Sequence, residues 1–199
     1  GTTVVDGKVG GLARSFNGTT DKIEVDETKF PTAYPFTYAA WFKTTIGAVP
    51  PTRPIVGISS TTSDNDRIML YITNAPGSIS WNVRNGAAEM EISFAGSVNN
   101  GIWHHGVGVS RTSSNHELWL DGVYITQNVT DVPFPTVDIA HIGHWLGLAE
   151  NNFWSGQIDE VRVYNVGLPG ETIHSLYLFG TTTFAKALRP RAFAPGLAR

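Results

Sequence analysis

The sequence predicts an all-β fold built as a two-sheet antiparallel sandwich, on three observations. Twenty-one glycines and 11 prolines in 199 residues supply turns at short intervals, which suits many short strands better than long helices. Several segments alternate apolar and polar residues with the period of two that a half-buried strand requires. Two hairpin dipeptides, Asn85-Gly86 and Asp121-Gly122, sit between such segments, and both tolerate the positive φ of a tight hairpin turn.

Taken along the chain, Phe36, Tyr38, Ala40 and Phe42 alternate with Thr37, Ala39, Trp41 and Lys43. Both sets contain aromatics, so this strand is expected to be covered on both faces. Ile79, Trp81 and Val83 alternate with Ser80, Asn82 and Arg84, a half-buried pattern. Asn85-Gly86 follows as a type I′ turn, with residues 87–93 returning as the partner strand. Trp103, His105, Val107 and Val109 alternate with His104, Gly106 and Gly108, where close backbone approach is expected at the glycines. Leu118, Leu120 and Val123 flank Asp121-Gly122, and residues 139–142 and 158–164 are further strands. One helix is expected over residues 169–178: Pro169 suits a first helical position, Ile173, Leu176 and Tyr177 share a face, and Gly180 ends it. The expected division is a domain over 1–179 and an extended basic tail over 180–199.

Composition removes several classes of function. With no cysteine there is no disulfide, thiolate metal site or catalytic thiol. No apolar run approaches the roughly 20 residues that span a bilayer, so membrane insertion is not expected. Net charge is −3, but residues 180–199 carry Lys186, Arg189, Arg191 and Arg199 and no acid. The −3 total less that +4 leaves −7 on residues 1–179, the wrong sign for a nucleic-acid-binding body.

At this point several motifs, in order, resemble one family. Residues 7–18 (GKVGGLARSFNG) with 21–25 (DKIEV), then 36–43 (FTYAAWFK), Trp103-His104-His105, 118–122 (LWLDG) and 156–165 (GQIDEVRVYN) with the helix to Tyr177 are similar to the successive strands of laminin-G-like domains. The resemblance spans residues 7–178. It implies a two-sheet antiparallel jelly-roll sandwich of the concanavalin-A-like lectin/glucanase type, with one short C-terminal helix. It says little about activity, since the fold hosts lectins, adhesion modules and hydrolases. Family members begin with a strand upstream of the GKxG segment. Little precedes it here, so the expectation is a removed strand or an edge filled by another chain. A helix ending in Leu-Tyr and a short tail with Arg, Pro and aromatic residues (188–195) resembles the ends of laminin-G-like proteins of tailed bacteriophages.

Candidate chemistry follows from residue type and place. The glucanases of this fold use a Glu-x-Asp-x-x-Glu pattern, which is absent; Glu89 and Glu91 share a strand face but read as strand polarity, so no catalytic residue is assigned. His104 and His105 are adjacent on a strand and face opposite ways, which prevents a shared metal ion. His141 and His144 are expected to diverge as well. The glucanase branch of the family ligates Ca²⁺ with an aspartate before a closing VRVY strand. Asp159 resembles it, which implies Ca²⁺ as the candidate cofactor, while the residue alone reads first as a strand-start aspartate capping a turn. For glycans, the loop over residues 144–153 is the best candidate. Trp145 would stack on a sugar ring, with His144, Asn151, Asn152 and the loop acids Asp64 and Asp66 bonding its hydroxyls. Trp154 reads as core.

Two functions are consistent with these features. The first is a non-enzymatic structural or decoration module of a virion or surface, docked on a capsid, fibre or surface protein through Lys186, Arg189, Arg191, Phe193 and Arg199. The second is a calcium-dependent, lectin-like adhesion domain. The expected location is the virion or the extracellular surface. Protein partners, glycans and self-association are the expected contacts, and nucleic acid is not.

Overall fold

The computed structural model describes residues 1–46, 52–73, 77–145 and 152–182. Asn151 and the tail residues Lys186, Arg189, Arg191, Phe193 and Arg199 lie outside the described residues. Thirteen strands are described: β1 (Thr3–Asp6), β2 (Leu12–Asn17), β3 (Ile23–Val25), β4 (Phe36–Lys43), β5 (Thr52–Ser59), β6 (Asp66–Thr73), β7 (Ser78–Asn85), β8 (Ala88–Ala95), β9 (Trp103–Thr112), β10 (Asn115–Leu120), β11 (Val123–Asn128), β12 (Ile139–Ile142) and β13 (Ser155–Tyr164). One helix, α1 (Gly170–Thr181), follows.

The strands form two antiparallel sheets. One runs β1-β2-β13-β4-β9-β10-β11, the other β3-β12-β5-β6-β7-β8. The layer between them holds Phe36, Tyr38 and Phe42 from the first sheet against Ile68, Leu70, Ile79, Trp81 and Val83 from the second. Period-two alternation dictates this: every second residue of β4, β6 and β7 is apolar and faces inward. The alternate residues of β4 point the other way. Ala39 joins Val107, Val109, Leu168 and Ile173 in a second apolar cluster, and Trp41 stacks on Tyr177 of α1 at 5.5 Å. The helix therefore covers the back of the seven-stranded sheet, as the doubly apolar β4 required.

Two local expectations are corrected. Gly86 and Ala87 form the β7–β8 turn, with positive φ at Gly86 (58°) but not at Asn85 or Ala87. That is the pattern of a type II′ turn, not I′. Gly180 lies inside α1 instead of ending it: a Cβ there would lie 2.4 Å from the Trp41 ring, so the glycine serves helix-to-sheet packing, and α1 runs across the expected 179/180 boundary. Beside these, a short strand directly before the GKxG segment, β1, pairs with β2, with Thr3 opposite Ser15 and Asp6 opposite Leu12. The second hairpin follows expectation, with Asp121 and Gly122 both at positive φ (51° and 75°).

Candidate functional site on the six-stranded sheet

With α1 on the back of one sheet, the outer face of the other is left to carry a site. Pairing register fixes which side chains share that face. One row across β5, β6, β7 and β8 is Ser59, Arg67, Arg84 and Glu89. The next, starting in β12, is His141, Gly57, Met69, Asn82 and Glu91. A third is Tyr71, Ser80 and Ser93. The opposite face of these strands is the apolar core, so the outer face is the polar half of the same alternation.

Arg67 is the centre of this face. Its Nε donates to Asn82 Oδ1 (2.9 Å), Nη1 to the Asp64 carbonyl (2.6 Å) and Nη2 to Glu89 Oε1 (2.8 Å). Asn82 Nδ2 closes the ring of bonds by donating to the same Glu89 oxygen at 3.0 Å and to the Met90 carbonyl at 3.0 Å. The indole of Trp145 lies over the guanidinium, 5.4 Å from carbon to ring centroid, within cation–π range. Burial lowers the Arg67 pKa, and Glu89 opposes that shift. Beside this cluster burial raises the Tyr71 phenol, with the Glu91 carboxylate as the second cause. Ser93 Oγ donates to Glu91 at 2.8 Å.

The Trp145 loop is fastened at both ends. Trp154 N donates to the Gly143 carbonyl at 2.7 Å, Gly143 N donates to Ile55 O at 3.1 Å, and Arg53 Nη1 donates to Phe153 O at 2.8 Å. The His141 and His144 rings meet edge to face with centroids 5.3 Å apart, and Phe153 stacks on His144 at 6.1 Å. The expected divergence of these two histidines is thus overturned: both are fully buried, because Gly143 at φ 77° turns the chain back over the sheet. His141 Nε2 lies 3.2 Å from Ser59 Oγ. Burial, then His144, pushes the His141 pKa down to about 3.

Gly57 makes room for this arrangement. A Cβ there would lie 2.8 Å from His141 Cε1, 2.8 Å from Met69 Cγ and 2.9 Å from the Ile68 carbonyl. Gly57→Ala is expected to destabilise the protein by about 1–3 kcal/mol through overpacking, read as a lower midpoint in urea. A midpoint equal to wild type would show that His141 moves freely.

The residues expected at the site are only partly gathered. Trp145 and Asp64 meet through Arg67, although Asp64 contributes its backbone carbonyl to that contact. Asp66 caps the β7–β8 turn, its Oδ1 accepting from Gly86 N at 3.1 Å. His144 packs against His141 and Phe153, and Asn152 has φ 75°. Trp154 is core, edge-on to Phe42 at 5.9 Å. Arg67, Tyr71 and Asn82 were not singled out from the sequence; their signal was the polar half of the β6 and β7 alternation.

Asp159 is placed elsewhere, in β13 on the other sheet. Its Oδ2 accepts from Lys8 N (2.7 Å) and Val9 N (3.1 Å), and its Oδ1 accepts from Glu160 N (2.8 Å). Three amide hydrogens pointing at a carboxylate do not fit a Ca²⁺ site, whose shell is oxygen. The residue ties the residue 7–11 turn to the β13 bulge. Among the described residues no group of three or more His, Asp or Glu is placed to hold a metal ion. His104 and His105 face opposite ways as expected: His104 Nδ1 lies 2.8 Å from Asp121 Oδ2, while His105 packs against Trp41 at 5.1 Å.

This architecture, two antiparallel sheets with a helix behind one and a polar face on the other, defines the class of jelly-roll sandwich domains. The chain belongs to the concanavalin A-like lectin/glucanases superfamily, which matches it over residues 17–174. No curated protein matches the sequence. Solved structures do. The CBM40 module of the Ruminococcus gnavus IT-sialidase superposes with a TM-score of 0.66 at 17% identity, covering 80% of this chain and 97% of that one. Domain 4 of AbnA, an extracellular GH43 arabinanase of Geobacillus stearothermophilus solved with arabinotriose, gives 0.70 at 19%, covering 89% and 81%. The NanB sialidase of Streptococcus pneumoniae gives 0.69 at 16%, covering 81% of this chain but 26% of that larger enzyme. At these identities the likeness carries the fold alone. Among the described residues no helix is long and apolar enough to cross a membrane.

Proposed function

We propose that this chain is a non-catalytic glycan-binding module working outside the cell or at a surface, and that it binds on the outer face of the six-stranded sheet. The observation that carries the reading is Trp145 held over Arg67, on a sheet face that also bears the Glu91 carboxylate and the Ser93 hydroxyl. An aromatic ring fixed by a cation on one side is a suitable platform for the apolar face of a sugar. Neighbouring carboxylates and hydroxyls accept and donate to sugar hydroxyls. CBM40 bound to sialyllactose and the AbnA domain with arabinotriose support this reading over attachment to a capsid or fibre.

Trp145→Ala tests it. Loss of a central aromatic anchor is expected to weaken glycan binding by about 2 kcal/mol, roughly 30-fold, with the thermal midpoint near wild type. Unchanged affinity would remove Trp145 from the site. A large fall in midpoint would make it a packing residue.

A further inference from the structure

We infer that the chain carries a second binding site, on the back of the seven-stranded sheet, for a sugar residue that bears an anionic group. The helix α1 covers that back as far as Trp41, which stacks on Tyr177 and lies against Gly180. The next row of side chains lies beyond it. Register places Ser15 of β2, Gln157 of β13, Lys43 of β4 and Trp103 of β9 opposite one another in turn. They share the phase of Trp41 and His105, so all four point away from the core. All four are partly exposed, and at ordinary strand spacing the row spans roughly 14 Å.

The groups on this row are uncommitted. Ser15, Lys43 and Gln157 line a cleft of about 210 Å³ together with Thr45. Thr44 also lines it, but its hydroxyl is used inside the fold, donating to Ser155 O at 2.6 Å and accepting from Ile46 N at 3.0 Å. The side chains of Ser15, Thr45 and Gln157 have no hydrogen-bond partner among the described residues. Nor does any carboxylate among them pair with the Lys43 ammonium. Trp103 stands beside Lys43 at the end of the row. It belongs to neither apolar cluster, and its ring meets no other ring among the described residues. A partly exposed tryptophan next to an unpaired ammonium suits a sugar ring with a charge at its edge.

Charge decides the ligand class. The cleft is lined by one cation and no acid. A second ammonium, Lys8, lies 5.1 Å from the Trp41 ring centroid on the neighbouring row. The acid of that row, Asp159, is occupied by three backbone amides, and Glu160 is occupied by Arg162. What remains available is an ammonium, an amide and two hydroxyls, a donor-rich set that fits a carboxylate or a sulfate. This site is separate from the Trp145 face and does not depend on it.

Calorimetry on the full chain tests the inference, with trigalacturonate, a sulfated disaccharide and uncharged arabinotriose as ligands. Saturable binding of an acidic ligand is expected, weakening several-fold between about 50 and about 500 mM NaCl. Binding of trigalacturonate alone would identify the anionic group as a carboxylate, and of the disaccharide alone as a sulfate. Lys43→Gln is expected to weaken that ligand about tenfold with an unaltered melting curve, and Trp103→Ala by a similar factor. Trp145→Ala should leave it unmoved. Failure of both acidic ligands to bind, or binding that survives Lys43→Gln, would overturn the inference. Equal affinity in Trp103→Ala would overturn the assignment of the ring. Loss in Trp145→Ala with none in Lys43→Gln would place the anion on the six-stranded sheet, ending the second site while leaving the glycan-binding reading in force.

Discussion

Trp81→Ala is expected to remove about 3–5 kcal/mol of stability, enough to leave a marginal domain partly unfolded at room temperature. Trp81 is fully buried at the centre of the sandwich, edge-on to Tyr38 at 5.3 Å and to Phe36 at 6.0 Å. Its ring fills the space left by a glycine on the facing sheet: a Cβ on Gly108 would lie 2.1 Å from Trp81 Cδ2. Small residue against large residue across two layers is how the sheets interlock. The indole also anchors a polar chain. Its Nε1 donates to Ser110 Oγ at 3.2 Å, and that oxygen lies 2.8 Å from His116 Nδ1. His116 Nε2 is 2.9 Å from Ser113 O, which fits the tautomer protonated at Nε2. Ser110→Ala should cost only about 1 kcal/mol. Equilibrium unfolding in urea at neutral pH checks both. A loss below that of Ser110→Ala for the tryptophan variant would mean the layer spacing is set elsewhere.

The pairing of large and small residues explains what the sequence could reveal. Trp81 was recognisable as inward-facing from its alternation with Ser80 and Asn82, and Gly106 and Gly108 as points of close approach. Both are local, period-two signals. Trp41, on the wrong phase of β4 for the main core, announced the helix that covers it. Gly180 misled because a glycine near a helix end reads as a cap, whereas its use here is decided by Trp41, 139 positions away in the chain.

The site was less legible because it is assembled across strands. Arg67, Asn82 and Glu89 are bonded neighbours only once β6, β7 and β8 are in register, and register is a property of the whole sheet. Glu89 and Glu91 were seen to share a face, but nothing local said that one would be consumed by two arginines and the other exposed. Trp145 was visible as a loop aromatic, and its partner Arg67 was not. The histidines fail for the same reason: His141 and His144 meet because Gly143 reverses the chain, a dihedral that spacing alone does not encode.

Those buried histidines are expected to make the protein lose stability steeply in mild acid. Burial, then His144, holds His141 down to about 3, and burial holds His105, packed on Trp41 and Tyr177, down to about 4. His116 is lowered by the same cause. In the unfolded chain each titrates near its ordinary value of 6.5. The sign follows: the folded pKa is depressed, so the unfolded state takes up protons first. Stability is whole above pH 6.5 and falls as pH drops towards the folded values. Each such histidine contributes a slope of about 1.4 kcal/mol per pH unit. Between about pH 6.5 and about pH 4.5, above most of the carboxylate range, the histidines should dominate, and His141 and His105 together should cost several kcal/mol. Urea unfolding at half-unit steps measures the slope. His141→Gln lowers stability at neutral pH through lost packing, yet its profile in acid should be flatter than wild type by about one histidine's share. A variant with the wild-type slope would show that His141 titrates normally in the folded protein. Since His141 shares its row of the sheet with Asn82 and Glu91, that result would also mean this face is wetter than its burial implies.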